Sequence, residues 1–173
     1  WISAALFTDI AKFWWALPLS AAGLPLVLAI FTGLAAVVYR RLLLIGAGGA
    51  VRSGLWPRLA KPLMFAASWS LLEWVRGWIF TGFPWNLFGY GWENTLPVLQ
   101  SVAVFGIYGL TLLTVLVAAL PVVLGGGNGQ GGGRSGGWVA VLAGLAVFAG
   151  LAAWGNARLG AAPDVGSPAA SVA

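Results

Sequence analysis

The sequence predicts an all-α integral membrane protein: about four transmembrane helices plus a short N-terminal interfacial helix. Three observations carry this. First, 60% of the 173 residues are hydrophobic and only 8% are charged, whereas soluble domains are roughly 25% charged. So few charges cannot build a water-facing surface. Second, four segments reach the ~20 apolar residues that a helix needs to cross a ~30 Å hydrocarbon core. Third, Lys and Arg gather at the ends of those segments, where membrane topology accounts for them. The net charge of +5 therefore gives no reason to expect a nucleic-acid partner.

The elements follow in order. Residues 1–18 read as an outward loop and an interfacial helix. Phe13, Trp14 and Trp15 sit within 10–17, just before the first span, as in an aromatic belt. The same stretch also fits a simple anchor. The spans are expected at about 19–39, 62–80, 97–124 and 138–157, which makes 19–157 a four-span membrane domain. Pro62 and Pro97 suit the first turn of a helix, where a missing N–H is no loss. Asn94 or Thr95 is positioned to cap the third span. That span exceeds the bilayer, so tilt or a protruding end near Pro121 is expected. The 125–137 segment is nearly all glycine and reads as a flexible linker. It has no P-loop lysine, so it is not expected to cradle phosphate. In the fourth span Ala143, Ala146, Gly150, Ala153 and Ala157 form one small-residue stripe, of the kind that lets helices approach closely in lipid. Residues 158–173 read as an outward tether.

Orientation follows from the basic residues. Arg40, Arg41, Arg52, Arg58 and Lys61 lie between the first two spans, and Arg134 follows the third. The opposite side has Lys12, Arg76 and Arg158. The positive-inside rule places the 40–61 and 125–137 loops in the cytoplasm. Both ends of the chain and the 81–96 loop then face outward.

Chemistry is constrained by what is absent. There is no Cys and no His, so thiol catalysis, disulfides, Cys/His metal sites and a serine triad through histidine are excluded. No cofactor is expected. Two ionisable residues nonetheless lie in an apolar run. Glu73 and Arg76 are three apart and share a helix face, with Trp69 before them and Phe80 after. Both fall in the outer half of the bilayer, where charge is costly and points to function. They read as a buried ion pair that fixes packing, as a guanidinium holding an anionic lipid headgroup with Glu73 orienting it, or as both. The loop after them carries Phe83, Pro84, Trp85, Asn86, Phe88, Tyr90 and Trp92 among Gly82, Gly89 and Gly91. Pro84 restricts Phe83 to extended backbone. This density exceeds what an aromatic belt requires and suggests a shaped lip for acyl chains or a docking site. On the third span Ser101, Tyr108 and Thr111 fall on one expected face, suited to interhelical hydrogen bonds.

Glu73-Trp-Val-Arg-Gly-Trp followed by Thr81-Gly-Phe-Pro-Trp-Asn-Leu-Phe-Gly-Tyr90 resembles the membrane domain of apolipoprotein N-acyltransferases. The likeness continues through 100–109, with Val104-Phe-Gly-Ile-Tyr-Gly109, and the opening Trp1-Ile2 fits that family's outward loop. The resemblance implies a multi-pass enzyme of the bacterial inner membrane that performs the final step of lipoprotein maturation. Its partners would be membrane lipids, a phospholipid acyl donor and a lipoprotein acceptor whose N-terminal diacylglyceryl-cysteine amine is acylated. It also implies a Glu-Lys-Cys triad in an extracytoplasmic nitrilase-like domain, reached through a thioester. The chain starts at Trp1 and has no cysteine. It is therefore expected to be a fragment, with no catalytic residue of its own and inactive alone. Glu73, Arg76, Phe83, Pro84, Trp85, Asn86 and Tyr90 are the residues expected to support the active site or bind lipid. A transporter-like, channel-like or purely structural membrane module is the competing reading. It lacks the repeated ionisable positions of transport pathways.

Overall fold

The computed structural model describes residues 10–47, 55–79, 86–125 and 134–161, and among these every regular element is helical. Four long helices organise the chain: α1 (Leu24–Ala47), α2 (Leu55–Ile79), α3 (Val102–Ala119) and α4 (Arg134–Gly160). Three stretches are long and apolar enough to cross a membrane: Trp14–Gly46, Val102–Leu124 and Gly136–Gly160. The remaining long helix, α2, has 25 residues, about 37 Å at 1.5 Å per residue. It carries Arg58, Lys61, Glu73 and Arg76 along that length.

The expected interfacial helix is not a separate element. Helical backbone runs from Ile10 into α1, passing through a 3-10 turn at Trp14–Ala16 and a wider π turn at Leu19–Gly23. Prolines explain the irregularity. Pro18 and Pro25 have no N–H to donate, so uniform i→i−4 bonding cannot continue past them. The Leu24 N–H reaches back five residues to the Leu19 carbonyl instead.

Pro62 does not start its helix, because α2 begins at Leu55 and Pro62 lies inside it. An interior proline loses a hydrogen bond, but here the ring is among the most completely buried side chains. The third segment is broken rather than continuous. A short helix at Leu96–Leu99 leads through a turn at Ser101 into α3, and Gly106 within α3 has φ 70° and ψ 173°. That positive φ is open to glycine and costly for other residues. The break separates Ser101 from Tyr108 and Thr111, so the expected single face does not form. Ser101 is buried, and its hydroxyl has no hydrogen-bond partner among the described residues. Thr95 occupies the N-cap of the short helix without a side-chain cap bond. At the far end Pro121 tightens the chain into a 3-10 turn, Leu120–Gly125.

In the packing, α2 lies between α1 and α3. α4 rests on the Leu96–Leu99 helix and the Leu120–Gly125 turn and touches α3 only lightly. The buried core is small: Ala35, Ala66, Leu87, Val98, Leu110, Val115, Leu120 and Val123. Large side chains such as Leu26, Ile30, Val104 and Leu142 are exposed. A soluble monomer rarely shows so much contiguous apolar surface, whereas in a bilayer it meets a solvent as apolar as itself. The small stripe of α4 does not face the bundle: Ala143, Ala146, Gly150, Ala153 and Ala157 are all exposed. The close approaches are made instead by Gly137, Gly144 and Gly155, which are buried. α4 also begins earlier than expected, at Arg134, because Gly137 packs against Val123 and Leu124.

Candidate functional site: a polar pair and a clamped aromatic loop

Glu73 and Arg76 lie on the face of α2 turned into the bundle, 5% and 8% exposed. The i, i+3 spacing puts the two side chains over one another, with Arg76 Nη2 4.0 Å from Glu73 Oε1. One turn earlier Trp69 donates its indole N–H to the same Oε1 at 3.1 Å. The expected ion pair thus exists, and Trp69 completes it.

Arg76 has a second task. Its Nη2 donates to the Asn86 carbonyl at 3.3 Å. Asn86 holds φ 60°, a left-handed conformation that asparagine tolerates better than most residues. The guanidinium therefore grips the backbone at the point where the loop turns back toward the helices. Asn86 takes part through this carbonyl, and its side chain is exposed.

From there the loop is clamped. A 3-10 turn runs from Phe88 to Trp92. The Gly89 N–H donates to Thr111 Oγ1 at 3.0 Å, and the Trp92 indole donates to Thr114 Oγ1 at 2.9 Å. The Thr114 hydroxyl passes its own proton to the Leu110 carbonyl at 2.7 Å. Thr111 and Thr114 are three apart on α3 and present their hydroxyls as two adjacent latches. Gly89 is needed for the fit, since a Cβ there would stand 2.9 Å from the Ile107 carbonyl oxygen and 3.1 Å from Thr111 Oγ1. Leu87 is buried beside it, and the Trp92 ring stacks on Phe148 of α4 at 4.6 Å. Phe88 meets Trp69 edge-on at 5.3 Å and continues an aromatic line through Phe65 to Tyr39 on α1. Edge-to-face pairs of this kind add to area burial.

Phe88 and Tyr90 are the outward part of this turn, 48% and 42% exposed. Phe83, Pro84 and Trp85 lie outside the described residues. Of the expected site, the structure brings Glu73, Arg76 and the Asn86 backbone together and leaves Tyr90 on the surface above. The sequence reading did not single out Thr114, Trp92 or Gly89 as loop fasteners. The signal for the threonines was their i, i+3 spacing facing an indole donor. The described residues hold no group of three His, Cys, Asp or Glu side chains able to bind a metal. The arrangement offers no nucleophile with an adjacent base. What it can do is hold a shaped aromatic surface over a buried charge pair.

A family model, Apolipoprotein N-acyltransferase N-terminal domain, matches residues 1–120. An apolipoprotein N-acyltransferase of Brucella melitensis is 41% identical over 170 residues, covering 98% of this chain and 29% of that protein. One of Rhodopseudomonas palustris is 39% identical, covering 94% of this chain and 28% of its own length. One of Caulobacter vibrioides is 38% identical, covering 88% and 26%. The chain thus spans about three tenths of the curated relatives it matches. No solved structure matches it.

Proposed function

The chain belongs to the apolipoprotein N-acyltransferase family, and on that premise we propose that it is the membrane domain of an enzyme moving an acyl chain from phospholipid to the N-terminal amine of a lipoprotein. The clamped turn at Phe88–Trp92 carries this reading. Two helices and a stacked ring hold it in one shape, yet its Phe88 and Tyr90 side chains remain outward. A rigid apolar lip suits acyl chains, which have no polar handle and must be placed by shape. Arg76 serves the lip from below by holding the Asn86 carbonyl, and Glu73 keeps the guanidinium oriented. Phe83, Pro84 and Trp85 extend the same surface. The thiol that accepts the acyl chain comes from the nitrilase-like domain that the family resemblance implies. The 173 residues contain no cysteine, so alone they form no thioester.

In this arrangement α1 to α4 cross the bacterial inner membrane, and the lip faces outward together with both ends of the chain. Lys/Arg asymmetry supports that orientation. Single cysteines at Ser53 and Asn94, treated with an impermeant thiol reagent on intact spheroplasts, test it. Position 94 should label and position 53 should not, and the reverse pattern would invert the topology.

The lip itself is tested in the full-length protein. Misplacing reacting groups by about 1 Å costs on the order of 100-fold. Phe88→Ala with Tyr90→Ala should slow thioester formation from phospholipid by about 10- to 100-fold, while a small soluble alkylator reacts with the thiol at the normal rate. Equal thioester rates would reduce the turn to an interfacial anchor.

A further inference from the structure

The seam between α1 and α2 has a feature that the acyl-transfer reading does not use. Thr32 and Ala35 on α1, with Trp69, Leu72, Glu73 and Arg76 on α2, line a pocket of about 20 Å³. A single water needs roughly 10–15 Å³ by the same measure, together with two to four polar partners. Glu73 Oε1 is occupied by the Trp69 indole, but Oε2 is buried and has no hydrogen-bond partner among the described residues. The Phe88 backbone and the Thr111 hydroxyl lie close enough to bias the carboxylate, but neither completes a hydrogen bond to Oε2. Thr111 Oγ1 is already the acceptor for Gly89. Across the pocket the Thr32 hydroxyl points its proton at the Leu28 carbonyl, 3.4 Å away, which leaves its oxygen as an acceptor. Arg76 lines the same space with a planar fork of donors.

We propose that this pocket is a site for one water molecule, which donates to Glu73 Oε2 and Thr32 Oγ1 and accepts from the Arg76 guanidinium. The fit is complementary. Two acceptors and one donor converge on a space of one-water size, and a water molecule offers two donors and accepts at its oxygen. The bridge joins α1 to the charge pair, which those two helices otherwise approach with apolar side chains and one threonine. It also satisfies a carboxylate oxygen that the bundle has removed from solvent, where an unmade hydrogen bond is costly. This inference rests on the α1–α2 packing and not on the acyltransferase reading.

The test uses the full-length protein in lipid nanodiscs, pulsed with X-rays to split bound water into hydroxyl radicals, followed by mass spectrometry of oxidised side chains. Leu72 lines the pocket. Leu110 is fully buried elsewhere, and Leu71 faces outward at 50% exposure. Leu72 should be oxidised several-fold more than either, because neither lipid nor dry core supplies water. Ala35→Leu, which fills the pocket, should bring Leu72 down to the level of Leu110. Should that variant not fold, Thr32→Val removes one water partner at nearly constant volume and should lower Leu72 oxidation. A Leu72 yield no higher than that of Leu110 would overturn the proposal. So would a yield unchanged by whichever variant folds.

Discussion

Glu73→Ala should lower the stability of the folded membrane domain by about 3–5 kcal/mol, the usual cost of removing one partner from a buried ion pair. The reason lies in what is left behind. Arg76 is 8% exposed and would keep its charge without the carboxylate beside it, while Trp69 would lose the acceptor for its indole N–H. Glu73→Gln separates these contributions. It keeps an oxygen for Trp69 and removes only the charge, so it should fall between wild type and alanine. Arg76→Ala should cost at least as much as Glu73→Ala, because it also releases the Asn86 carbonyl. Thermal unfolding of the full-length protein in detergent reads all three. Identical midpoints for Glu73→Ala and wild type would mean that the carboxylate contributes no net stabilisation.

Gly155→Ala should be the most disruptive single methyl in α4. A Cβ at Gly155 would fall on the backbone carbonyl of Pro97, and a backbone atom cannot swing aside as a side-chain tip can. The helix must move off the Leu96–Leu99 segment. Overpacking of this kind costs about 1–3 kcal/mol and occasionally more, and the upper part of that range is expected here. Gly150→Ala, one turn and a half earlier, is the matched control. It meets nothing within 4 Å and replaces glycine in a helix by the best helix former, so it should not destabilise. A Gly155→Ala midpoint equal to that of Gly150→Ala would remove the close contact between α4 and Pro97 from the account.

These two residues also show what a sequence reveals of such a fold. Glu73 and Arg76 were legible because charge inside an apolar run is rare and a spacing of three fixes a shared face. The loop was legible from aromatic density with proline and glycine. The packing face of α4 was not. In lipid the inward and outward faces of a helix are equally apolar, so no polarity difference separates the stripe Ala143–Ala157 from the face of Gly137, Gly144 and Gly155. Spacing alone allowed both. The Gly106 break was hidden for a related reason, since glycine is common in membrane helices and only the chain's path decides which one leaves helical geometry. The latches at Thr111 and Thr114 depend on where the loop lands, which is a property of the packed structure. Pro62 misled because proline favours a first helical turn, and here a fully buried ring sits in the interior of α2 instead.

The account centres on a clamped aromatic turn that touches the acyl donor. The most direct measurement places a photoreactive phenylalanine analogue at Phe88 of the full-length protein, irradiates it in membranes containing radiolabelled phospholipid, and asks what becomes attached. The turn exposes nearly half of the Phe88 side chain, so the expected product is a covalent phospholipid adduct. It should be several-fold more abundant than from the same analogue at Phe148, which is covered by Trp92. Phospholipid adducts no more frequent at Phe88 than at Phe148 would contradict the central claim.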